Sequence, residues 1–108
     1  KPDAAGALDR RASQCGLAAP RRRQAWIQLA SSLRNLNQAP ESVALLTAEL
    51  DAGPDELDDA VRAFLALALT SCGREREAVG VALTALAGHM TRYRRSLTNY
   101  AQELVDGD

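Results

Sequence analysis

The side chains best able to do chemistry in this chain are one histidine, two cysteines and a few repeated carboxylates. His89 is the single histidine, so a His-based metal site or a His-paired nucleophile would need unusual partners. It falls at the end of a helical pattern, where the dipole favours an imidazole. Cys15 and Cys72 lie far apart and form no C-x-x-C pair. Each sits among apolar helical positions, where a free thiol packs as a small hydrophobe. Two unpaired thiols without a disulfide framework suit a reducing cytosol. Glu41 and Glu77 lie on outer helical turns and read as solvated rather than as an acid–base pair. None of the seven glycines forms G-x-x-x-x-G-K-[ST] or G-x-G-x-x-G, so phosphate-cradling loops are missing from the pattern. No catalytic residue, metal ligand or cofactor site is expected, and the chain reads as a non-enzyme.

Charge offers binding rather than catalysis. The net charge is −1, unlike the basic balance of general nucleic-acid binders. Arg21, Arg22 and Arg23 form one basic cluster, and Arg92, Arg94 and Arg95 form another. Asp51, Asp55, Glu56, Asp58 and Asp59 form an acidic run that opens a helix and suits its dipole. These groups read as solvated helix ends, with a charged docking patch as the alternative. Nucleic acid is therefore an unfavoured partner. No apolar run approaches the roughly 20 residues that span a membrane, and the start has no signal-peptide pattern. A cytoplasmic protein is expected. The sequence starts at Lys1 rather than at a methionine, which suggests a fragment or a processed chain.

The elements that must position these groups are helices. Ala and Leu dominate, and only 4% of residues are aromatic. Both are strong helix formers, and few stretches have the β-branched and aromatic content of strands. Apolar residues recur at three- and four-residue steps over 3–15, 21–36, 40–52, 55–72, 75–88 and 91–105. Gly16 and Pro20 bracket the first break. Asn37 suits a left-handed helix end, and Pro40 belongs in the first turn of the next helix. Gly53, Pro54 and Gly73 stop the following segments. Asp55 is a candidate cap, with Asp58 completing a capping box. In the last segment Tyr93, Leu97, Tyr100 and Leu104 form the expected apolar stripe, with Arg92, Arg95, Asn99 and Gln102 opposite. Links of about 2–5 residues make neighbouring helices antiparallel. The expected fold is all-α, about six helices in stacked hairpins, in one domain spanning residues 1–108.

A shift of 36 residues overlays the chain on itself without a gap. Leu29 falls on Leu65, Ala30 on Ala66, Leu33 on Leu69, Asn37 on Gly73, Val43 on Val79 and Leu50 on Leu86. Such a period marks a stacked repeat array. One copy reads Trp26, Leu29, Ala30, Leu33, then Ser42, Leu46 and Pro54. The next reads Arg62, Leu65, Ala66, Leu69, then Ala78 and Ala82. This resembles the tetratricopeptide repeat, W-x2-L-G-x2-Y, A-x3-F, P. Ala stands for the Gly, Leu for the Tyr, and Glu49 occupies a position where the family has a small residue. Small Ala30 and Ala66 would let paired helices approach, with Ser42 and Ala78 opposite them. The chain also looks like a small actinobacterial-type tetratricopeptide family closed by an R-Y-R-R-x-L motif, here Arg92 to Leu97.

The resemblance implies a right-handed superhelix with a partial repeat over 3–20, repeats over 21–54 and 55–88, and a capping helix over 90–105. It implies a scaffold for a protein or peptide, probed through the concave face. By position that face carries Gln24, Ile27, Ser31, Arg34 and Asn35, then Ala63, Leu67, Thr70 and Ser71. Arg34 with Asn35 could hold a carboxylate or main-chain groups of a peptide. The lysine-rich carboxylate clamp of chaperone-binding members is unmatched, since Lys1 is the single lysine. A first helix missing from the partial repeat would uncover Ala4, Leu8, Ala12 and Cys15, a stripe suited to a homodimer. Two alternatives remain open: a regulatory nucleic-acid-associated domain using the arginine clusters, and a fragment of a longer repeat protein.

Overall fold

The computed structural model describes residues 19–54 and 56–107. The expected helix over 3–15, with Ala4, Leu8, Ala12 and Cys15, lies outside the described residues, as does Asp55. The described part is entirely helical: α1 (Ala19–Asn35), α2 (Ala39–Ala52), α3 (Asp58–Ser71), α4 (Glu75–Ala87) and α5 (Arg94–Asp106). Each helix packs on the next in the chain, and α1 also reaches α3.

The turns that fold these helices back are built twice in the same way. Asn37 and Gly73 both take the left-handed conformation, at φ 63° and 77°. The Gln38 N–H then donates to the Leu33 carbonyl at 2.8 Å, and the Arg74 N–H donates to the Leu69 carbonyl at 2.9 Å. Both are the six-to-one bond of a Schellman ending, which satisfies carbonyls the helix leaves open. Pro40 follows in the first turn of α2, where its lack of an N–H costs nothing. The 36-residue repeat is thus a repeat of hydrogen bonds as well as of residue types.

Within the first hairpin Ala30 is fully buried and Ser42 nearly so. The Ser42 hydroxyl donates to the Ala30 carbonyl at 2.8 Å, which a larger residue at either position would prevent. The core then runs continuously through Ile27, Ala30, Leu46, Val61, Leu65, Leu69 and Ala78, so it links α1 to α4. Ile27, expected on the concave face, is one of these core residues at 7% exposure.

The capping box expected of Asp55 and Asp58 reaches outside the described residues; α3 itself starts at Asp58, after Leu57. The Asp58 carboxylate accepts from Arg23, as described below. One further expectation is corrected. The last helix begins at Arg94, after Tyr93 in the left-handed conformation at φ 65°. Its packed face keeps only the leucines of the expected stripe: Leu97 and Leu104 are half-buried, and the tyrosines are not packed. Ala101 is fully buried, whereas Tyr93 and Tyr100 are 73% and 65% exposed. The cause is Gly80 on α4. A Cβ there would lie 2.6 Å from the Ala101 carbonyl oxygen and 2.8 Å from Val105 Cγ2, so α5 seats its small residue on that glycine. Bulky tyrosines cannot make so close an approach.

Candidate functional site

Two clefts open along the array, one within the second hairpin and one between α3 and the turn after α1. The first has a volume of about 430 Å³ and is lined by Ala63, Ala66, Leu67 and Thr70 of α3 and by Ala78, Val79 and Ala82 of α4. Helical spacing produces it. Ala63, Leu67 and Thr70 recur at i, i+4 and i+7 on α3, and Val79, Ala82 and Leu86 at i, i+3 and i+7 on α4. Leu67, Val79 and Leu86 are 46%, 49% and 53% exposed. Thr70 is the one polar lining residue, and its hydroxyl donates to the Ala66 carbonyl at 2.9 Å. The cleft therefore offers apolar contact, a size ordinary for ligand sites, and little fixed polarity.

The second cleft, about 270 Å³, is lined by Arg34, Asn37, Ala39, Pro40, Ser71 and Cys72. Arg34 is half-buried, and its Nε is shielded from solvent without a hydrogen-bond partner. Cys72 is a half-buried free thiol. Thr70 and Ser71 are consecutive and line one cleft each.

The residues expected on the concave face thus separate into groups. Ala63, Leu67 and Thr70 converge on the apolar cleft; Arg34 and Ser71 meet in the second. Gln24 and Asn35 are exposed, and Ser31 is half-buried, but none of the three lines either cleft. Ile27 is withdrawn into the core. The α4 wall, Val79 and Ala82, was missed in the sequence, where attention fell on the first helix of each hairpin. The exposed i, i+3, i+7 pattern of α4 was the signal.

The arginine cluster of α1 also changes meaning. Arg23 is 4% exposed. Its Nη1 lies 2.8 Å from Asp58 Oδ1, its Nη2 donates to the Glu49 carbonyl at 2.6 Å, and its Nε is 3.7 Å from Glu49 Oε1. One guanidinium thus joins α1, the end of α2 and the start of α3. Arg22 lies over the Trp26 ring, 5.8 Å from its centroid. Arg23 is not available to a nucleic-acid backbone, which weakens the arginine-cluster alternative. Sequence reasoning missed this network; its trace was Glu49 at a position built for a small residue.

Among the described residues no group of three or more His, Cys, Asp or Glu side chains is placed to hold a metal. His89 meets one carboxylate: its Nε2 lies 2.9 Å from Asp59 Oδ2, an exposed contact that ties the end of α4 to the start of α3. No described helix is long and apolar enough to cross a membrane.

Stacked antiparallel hairpins with a recurring turn, a small-residue seam within the hairpin and an apolar cleft between its helices define a helical-repeat protein. Comparison with known families agrees: the family described as Tetratrico peptide repeat matches residues 1–104. The chain belongs to the tetratricopeptide repeat family, a family of protein-interaction modules. No curated protein and no solved structure matches it.

Proposed function

We propose that this chain is a non-catalytic, cytoplasmic interaction module that holds an apolar segment of another protein in the cleft between α3 and α4, and that it also self-associates. The observation that carries the cleft reading is the pairing of Leu67 with Val79, both about half exposed, across a cavity whose one polar lining residue is internally bonded. Exposed aliphatic side chains facing each other across a concavity gain by burial, about 1 kcal/mol each for the half of the side chain still in water. Arg34 in the neighbouring cleft supports an extended ligand with a carboxylate or a main-chain carbonyl at that end. The free thiol of Cys72 fits a reducing compartment. Self-association is supported by the exposed tyrosines of α5.

The test is a selection of random peptides displayed on phage against the wild type, followed by titration of the enriched peptides. Enriched peptides are expected to share aliphatic anchors. The double variant Leu67→Asp/Val79→Asp is expected to bind them at least about 30-fold more weakly, the equivalent of the ~2 kcal/mol of lost burial. Its helical content should be unchanged, since both side chains are exposed. Equal binding by the double variant would remove the cleft from consideration.

A further inference from the structure

The charges of α5 run against its own dipole. Arg94 and Arg95 open the helix and Arg92 stands just before it, while Asp106 closes it and Glu103 lies one turn earlier. There is no acid in its first turn and no base in its last. A helix N-terminus carries partial positive charge, so this order is unfavourable at both ends. Arg94 has a local role: its Nε and Nη2 donate to the Met90 carbonyl at 3.2 and 2.9 Å. Asp106 accepts from Gln102 at 2.8 Å and keeps further acceptor capacity. Arg92, Arg95 and Glu103 are exposed and have no hydrogen-bond or ion-pair partner among the described residues. A sequence that breaks a local rule at several positions together has a compensating reason elsewhere.

The order of these charges is complementary to itself. A two-fold axis at Asn99 sets Arg95 opposite Glu103, four residues to either side along the helix. Each contact then occurs twice, as in any isologous interface. Tyr100, next to the axis and 65% exposed, supplies apolar area, with the small Ser96 one turn away to receive it. The face is open, because α5 packs chiefly on α4.

We infer that α5 pairs antiparallel with α5 of a second copy of this chain. This specifies the surface of the self-association proposed above and is independent of the cleft. A helix of 13 residues is about 20 Å long, and one such face buries less than the roughly 1,200 Å² of stable interfaces. The pairing is accordingly weak, concentration-dependent and sensitive to salt.

The experiment is sedimentation equilibrium of the 108-residue chain across dilution, with Arg95→Glu, Glu103→Arg and an equimolar mixture of the two variants. The wild type is expected to dimerise at high concentration. Each single reversal sets like charges against each other and should weaken the dimer at least tenfold. The mixture should restore it, because one variant then carries acids at both positions and the other bases. Circular dichroism checks that each variant stays helical; both sites are exposed, so folding should hold. A dimer indifferent to all three changes would overturn the α5 surface and leave self-association standing. A wild type that is monomeric throughout overturns both. Association of that monomer with an acidic peptide or an oligonucleotide would give the arginines a foreign partner instead.

Discussion

Arg23 has two identical neighbours in sequence, yet it does not do what Arg22 does. Arg22 covers Trp26, whereas Arg23 is buried against Glu49 and Asp58. Removing one member of a buried ion pair strands the others, which costs about 3–5 kcal/mol. Arg23→Ala is therefore expected to lower unfolding free energy by about that amount in urea titrations, whereas a loss under about 1 kcal/mol would show that water already solvates the carboxylates. His89 makes the contrasting case. Its contact with Asp59 is 2.9 Å long, but the side chains are 69% and 41% exposed. An exposed pair contributes little, so His89→Ala should change stability by less than about 0.5 kcal/mol in the same assay. Nothing in residue type separates these two contacts; burial does. Ala30 and Ser42 were legible in the sequence because small residues recur at their repeat positions. The Arg23 network was not, since its partners lie 26 and 35 positions away and meet only when α2 turns into α3.

Among the elements, legibility follows the period. The turn after α1 and the turn after α3 were readable from Asn37 and Gly73, because few residues tolerate a positive φ. Asn37→Val should cost about 1–2 kcal/mol, the steric penalty of a side chain in the left-handed region. Asn37→Gly, which copies the second turn, should be neutral or stabilising by thermal unfolding. For α5 the period gave one stripe, through Tyr93, Leu97, Tyr100 and Leu104, and the packed face adds Ala101 and Val105 while leaving out the tyrosines. Size of side chain suggested the tyrosines; the close approach to Gly80 selects Ala101, Leu104 and Val105. Backbone contact of this kind leaves no trace in a hydrophobic pattern, because glycine and alanine carry little of it. Gly80→Val would force its side chain into the Ala101 carbonyl and Val105, and overpacking of a close helix contact costs about 1–3 kcal/mol. The measurement is the loss of stability together with lost protection of the α5 amides. A stable, fully protected variant would mean that α5 slides easily on α4.

At the scale of the molecule, each helix depends mainly on its sequence neighbours, which makes stability local along the array. The helices α1 to α4 share one continuous core, so they should open together. The fifth is different: it rests chiefly on α4, and Ala101 is its one buried residue. A helix with a single fully buried side chain has a low free energy of local opening. Native-state hydrogen exchange at low protein concentration should therefore show α5 amides exchanging well before those of α2 and α3. Concentration then adds a second axis to the same measurement. Anything that binds the closed form of α5 stabilises it by mass action. If α5 pairs with its copy, its protection should rise with protein concentration while that of α2 and α3 stays fixed, and Arg95→Glu should abolish the rise. Protection of α5 equal to the core at every concentration would instead mean that Ala101, Val105 and Leu104 hold it to α4 far more firmly than their buried area allows.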